Sequence, residues 1–106
     1  FEAEQSFKRG AYYGEPSAIS LYNWANLQYD MGDTRGALAR YHQVTKMAPK
    51  MARAWFGVGV SHFKLRSPAD TVRYYLHQAL DLDPFMKQAQ DILEQVGALD
   101  EYQQSR

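Results

Sequence analysis

The sequence predicts an all-α fold built from antiparallel helix pairs that recur about every 34 residues and stack into an array. Prolines stand at 16, 49, 68 and 84, so the first, second and fourth are separated by 33 and then 35 residues. Residues 18–51 can be laid over residues 52–86, with one extra residue near Ser67-Pro68. Tyr22 then meets Phe56, Ala25 meets Gly59, Tyr29 meets Phe63 and Pro49 meets Pro84. Within each copy the apolar residues recur at the spacing of a helix rather than a strand.

The first segment, residues 2–13, places Ala3, Phe7 and Gly10 at i, i+4 and i+7, which is the pattern of the second helix of a pair whose first helix lies outside the sequence. The opening Phe1-Glu2-Ala3-Glu4 carries neither an initiator methionine nor a basic-then-apolar leader, so the expectation is a piece of a longer chain. In repeat one, 18–51, the row Ala18, Leu21, Tyr22, Ala25, Tyr29 and a second row Trp24, Leu27, Met31 make the first helix apolar on two sides. It is therefore expected to pack against two neighbours. Gly32-Asp33 breaks the pair: glycine tolerates the left-handed conformation that ends a helix, and Asp33 or Thr34 can cap the next. Ala37, Tyr41, Val44 and Ala48 then form a single stripe opposite Arg40, His42, Gln43 and Lys46, which predicts a helix with one face in water.

Repeat two, 52–86, follows the same logic. Trp55, Val58, His62 and Leu65 form one row, Phe56, Val60 and Phe63 another, and Val72, Tyr75, Leu76 and Ala79 the single stripe of its partner helix. Ser67-Pro68-Ala69-Asp70 reads as an N-cap, a proline at the first helical position and a capping box. Asp83-Pro84 reads similarly and predicts a polar capping helix from about Phe85 to Gly97, assigned as 87–97 once repeat two is closed at 86. Residues 98–106 are expected to be a tail.

Composition narrows the function classes. Twelve Lys and Arg balance twelve Asp and Glu, so no basic patch argues for nucleic acid. The absence of cysteine excludes disulfides, thiolate catalysis and cysteine-ligated zinc. The apolar run 54–63 is about half of the ~20 residues a membrane-spanning helix needs, so no membrane insertion is expected. His42, His62 and His77 form no close ligand pair, and no metal is expected. Gly57-Val58-Gly59 lacks the third glycine, preceding strand and phosphate-gripping lysine of a nucleotide loop, which leaves close helix packing as its reading. Asp81 and Asp83 flank a helix end, where capping accounts for them. The expectation is a chain with no cofactor and no catalysis.

The segments at 18–51 and 52–86 resemble the tetratricopeptide repeat, a helix-turn-helix unit with the pattern W-x2-L-G-x2-Y, then A-x3-F, then A and P. Trp55, Val58, Gly59, Ala79 and Pro84 carry the match in the second copy, and Ala25, Ala37, Tyr41 and Pro49, with the Gly32-Asp33 turn, in the first. Leu21 and Trp24 depart from the pattern, Gln28 and His62 replace its Tyr, and Val72 replaces an Ala. The resemblance implies a right-handed superhelix, here the C-terminal part of an array, that binds protein partners in a concave groove lined by the first helix of each pair. It places Ile19, Tyr22, Asn26, Tyr29 and Asp30, then Arg53, Phe56, Val60, Phe63 and Lys64, on that groove. A peptide or helix with apolar anchors is the expected partner. The clamp with which some members hold the Glu-Glu-Val-Asp tail of chaperones is not expected: Asn26 matches it, but Tyr22, Gly57, Gln88 and Ile92 stand where its other groups belong. The alternative reading is an oligomerisation or spacer element of a larger assembly, with self-association through the N-terminal end.

Overall fold

The computed structural model describes residues 17–104, and side chains as far as residue 97. The predicted helix over 2–13 and the last two residues of the expected tail therefore lie outside the described residues. Five helices follow in order: α1 (Ala18–Asp30), α2 (Thr34–Met47), α3 (Ala52–Lys64), α4 (Ala69–Leu82) and α5 (Lys87–Gln104). Each packs on the next, and α1 also touches α3, so the first helices of successive pairs lie side by side. No strand occurs among the described residues.

Each pair ends its first helix in the same way. Gly32 adopts φ +93°, its N–H donates to the Tyr29 carbonyl, and the Asp33 N–H donates to that of Gln28, satisfying carbonyls the helix would otherwise leave open. Asp33 then caps α2 by accepting from the Gly36 N–H at 3.1 Å. In the second pair Arg66 takes the left-handed position, with φ +63°, and the same two bonds run from Arg66 to Phe63 and from Ser67 to His62. The sequence signals this turn only in the first copy, because a charged residue stands where glycine is favoured.

Side-chain ties repeat as well. Gln28 Nε2 donates to Asp33 Oδ2 at 3.0 Å, and at the equivalent position His62 Nδ1 pairs with Ser67 Oγ at 2.8 Å. Trp55 Nε1 donates to the Pro49 carbonyl at 2.8 Å, while Gln90, 35 residues further on, makes the same bond to Pro84 at 2.7 Å. Each tie fixes a loop to the helix that follows or precedes it, so consecutive helices leave their turns at a set angle.

The core is sequential. Leu21, Val44 and Ala54 form a cluster between α1, α2 and α3. Ala25, Ala37, Tyr41 and Val58 form a second. Val72, Leu76, Ala79, Met86, Ala89 and Val96 form a third, which joins α4 to α5. α3 is held most closely: a Cβ built on Gly57 would lie 2.5 Å from the Tyr41 ring of α2, and one on Gly59 would lie 2.7 Å from Leu76 of α4. The two glycines are thus required by close approach from opposite neighbours, in agreement with the packing reading of Gly57-Val58-Gly59.

Three expectations are corrected. Pro68, not Ser67, flanks the start of α4, and no side chain caps it; the Ser67 hydroxyl is engaged by His62 instead. α5 begins at Lys87, because Asp83 Oδ1 accepts from the Phe85 N–H at 3.3 Å and holds Pro84-Phe85 in a turn. The helix also passes through Gly97 to Gln104, so much of the expected tail is helical. A single glycine costs a helix only about 1 kcal/mol relative to alanine, and the Cβ site at Gly97 faces open space. Trp24, Leu27 and Met31 are 51%, 57% and 75% exposed among the described residues, with Arg40 over the Trp24 ring.

Two stability outcomes follow. Gly59→Leu drives a side chain into Leu76 and is expected to lower unfolding free energy by about 2–3 kcal/mol in denaturant titration. Arg66→Gly relieves the left-handed strain and is expected to raise it by about 0.5–1 kcal/mol; a loss would show that Arg66 contributes more as a side chain than its backbone costs.

Candidate protein-binding groove

Helix periodicity puts the residues at positions 2, 5, 9, 12 and 13 of a first helix on one face. The structure divides the predicted set by burial. Ile19, Asp30, Arg53 and Lys64 are exposed, whereas Tyr22, Asn26, Tyr29, Phe56, Val60 and Phe63 are half-buried. Tyr22 packs against both N-terminal core clusters and Tyr29 against one of them. Phe56 and Phe63 pack against the cluster that joins α4 and α5. The aromatic residues of this face therefore hold helices together with one part of each ring and leave another part accessible.

Two contacts organise the face. Lys64 Nζ of α3 lies 5.2 Å from the centroid of the Tyr29 ring of α1, a cation–π contact that joins neighbouring pairs. Tyr41 of α2 donates its hydroxyl to Asn26 Oδ1 in a short hydrogen bond, and its ring lies 6.0 Å from that of Tyr22. Burial first, then Tyr22, Asp30 and Tyr29, hold the Tyr41 hydroxyl well above the ordinary tyrosine range. At neutral pH it is a donor. With its oxygen engaged, the Asn26 amide has its two N–H groups left to donate. Burial, with a contribution from Asp30, also raises Tyr29. Tyr41 was not among the residues expected here; it reads in sequence as a core position, and its hydroxyl is the signal that it does more.

Gly57, where the chaperone-tail clamp would need an asparagine, is buried under the Tyr41 ring, so the backbone there is closed to a ligand. Nothing at that position can supply the missing polar group.

A second constellation lies on the other side of α3, where Trp55 and His62 project seven residues apart. The His62 ring stacks on Tyr75 at 5.4 Å, Trp55 stacks on the same ring at 6.1 Å, and His42 meets Tyr75 edge-on at 5.4 Å. His42 and His62 are 6.1 Å apart. His42 and His77 hold equivalent places in the two copies, 35 residues apart, but the fold brings His42 to His62, because α2 packs on α3. Among the described residues no group of three His, Cys, Asp or Glu side chains converges to hold a metal ion.

Burial and then Lys46 lower the His42 pKa below its ordinary 6.5, and burial and then His42 do the same for His62. The unfolded chain then takes up protons at a higher pH than the folded one. Stability is expected to be complete above about pH 7 and to fall as pH drops from the ordinary histidine range to the lower native values. Thermal melts between pH 7.5 and about 5 check this; the loss should be reduced in a His42→Gln, His62→Gln variant, and an unchanged slope would rule the pair out as its source.

No helix among the described residues is long and apolar enough to cross a membrane. No curated protein matches the chain. A family model described as the tetratricopeptide repeat matches residues 22–87, more than half of the sequence, from within α1 to the start of α5. The paired helices, the close approach at the glycines and this match agree, and the chain belongs to the tetratricopeptide repeat family, whose repeats generally mediate protein–protein interaction.

Proposed function

We propose that the chain is an interaction module, an adaptor or scaffold that holds a peptide or helix of a partner protein on the face formed by α1 and α3, without catalysis of its own. The observation that carries this reading is the Tyr41–Asn26 hydrogen bond. A side-chain amide fixed by its oxygen, with its N–H groups free on a face of accessible aromatic surface, suits the carbonyls of a partner backbone while apolar anchors fill the space beside it. Ile19, Tyr22, Tyr29, Phe56, Val60 and Phe63 would contact the anchors, and Arg53 and Lys64 would meet polar groups at the edge.

The preformed face explains how binding would work. Tyr22, Tyr29, Phe56 and Phe63 are already ordered by core contacts, so little conformational entropy is lost when a partner arrives. An apolar partner is favoured over an acidic tail, because the face lacks the cation set that a pair of carboxylates needs.

A second reading, assembly or spacing within a larger complex, draws on the exposed Trp24, Leu27 and Met31 of α1. The two readings use different faces and separate by variant.

Selection from a random peptide library followed by calorimetric titration tests the groove. Tyr22→Ala and Phe56→Ala are each expected to weaken a selected peptide by about 2 kcal/mol, with thermal melts run alongside because both residues support the core. Asn26→Asp keeps the acceptor for Tyr41 and removes the amide donors, and is expected to cost about 1 kcal/mol of affinity with little change in melting. Unchanged affinity in all three would reject the groove, and a Glu-Glu-Val-Asp peptide is expected not to bind.

A further inference from the structure

Positive and negative charges balance over the chain but not along it. Positions 34–69 hold seven Lys and Arg and no Asp or Glu, whereas positions 70–106 hold seven Asp and Glu and three Lys and Arg. The reversal falls between α2 and α4. A shift of 35 residues carries Arg35 onto Asp70 and Lys46 onto Asp81, and the two charges of each helix are 11 residues apart. Eleven residues are close to three whole turns, so on each helix the charges share one line and stand about 16 Å apart. All four residues are exposed. Asp70 accepts from Arg73 at 2.5 Å yet its side chain stays 94% exposed, and among the described residues Arg35, Lys46 and Asp81 make no ion pair. Between the charges, Ala39 on α2 and Tyr74 on α4 hold equivalent places, and Tyr74 is 55% exposed.

The two helices present these lines on one surface. Both pack on α3 and return along it after short turns at 48–51 and 65–68, so they run parallel to one another. They also meet, where Tyr75 of α4 touches His42 of α2 at 5.4 Å. A surface that is basic on one helix and acidic on its parallel neighbour, at matching heights, is complementary to itself. A two-fold axis lying in that surface along the helices lays α2 of one copy on α4 of the other, both running the same way. Arg35 then faces Asp70 of the second copy and Lys46 faces its Asp81, and the symmetry repeats both pairs. Tyr74 comes to lie over Ala39, where a short side chain leaves room for a ring. An axis across the helices would instead set α2 on α2 and oppose like charges, so the sequence selects the first arrangement.

We propose that the α2–α4 surface docks a second copy of this chain, α2 on α4 in parallel and reciprocally. It is separate from the α1–α3 face and from the Trp24 row, so it stands whether or not the groove reading does. Exposed ion pairs are individually weak and screened by salt; here they choose the partner and its register, and Tyr74 supplies apolar area to bury.

Sedimentation of the full chain up to about millimolar concentration tests this. A monomer–dimer equilibrium is expected whose dissociation constant rises about tenfold between low salt and about 0.5 M salt. Lys46→Asp and Asp81→Lys each oppose like charges within their own dimers, and each should sediment as a monomer where the unaltered chain is dimeric, with unchanged circular dichroism. An equimolar mixture of the two variants should dimerise again, because each supplies the charge the other has lost, and a variant that merely misfolds is not rescued in this way. An unaltered chain that stays monomeric throughout, a dimer untouched by either substitution, or a mixture that remains monomeric would each overturn the proposal. A dimer untouched by either would move self-association to another face.

Discussion

The array depends on how closely two helices can approach α3. At Gly57 the Tyr41 ring occupies the space of a side chain, and at Gly59 Leu76 does so from the opposite neighbour. Bulk at either place would push one helix away and change the angle at which the next pair is presented. Because each helix packs chiefly on the next, a change at α3 would move α1 relative to α5. The candidate face drawn from α1 and α3 depends for its shape on these two absent side chains.

Much of the fold is legible in the sequence because its signals are local. The apolar rows of α1 to α4, Gly32 at the first turn and Asp33 as a cap all follow from spacing and backbone preference. The misread positions are those where tertiary contacts overrode a local signal. Ser67 has the chemistry of an N-cap, but its hydroxyl lies beside His62. Asp83-Pro84 has the chemistry of a helix start, but the Asp83 carboxylate closes a short turn first. Arg66 carries no signal for a left-handed residue, yet the fixed length of the turn places it there.

The predicted groove residues were legible only as positions on a helix face. Which of them are open was not, because that depends on neighbouring helices: Ile19 and Lys64 stand out from the surface, while Phe56 and Phe63 are half-covered through contact with the α4–α5 cluster. The orientation of the Asn26 amide was equally hidden, since the hydroxyl that sets it comes from Tyr41, fifteen residues later on another helix. On the proposed function, recognition and stability would be coupled at this face, because Tyr22, Phe56 and Phe63 also make core contacts.

The repeat also conserves a task where it does not conserve a residue. Position 28 ties the end of α1 to its turn with an amide, and position 62 does so with an imidazole. Each also reaches the second helix of its pair, Gln28 by accepting from Arg40 at 2.8 Å and His62 by stacking on Tyr75. The geometry requires only a planar polar group of suitable length, so either chemistry serves. The choice matters for the response to solvent. An amide does not titrate in the range where proteins fold, whereas the imidazole does, and a second imidazole, His42, faces it from α2. One pair of the array is thus held by a tie that does not titrate and the next by one that carries a titratable group. The same architectural role, filled by two side chains of different chemistry, makes the α2–α3–α4 junction the place where folding is expected to respond to acid.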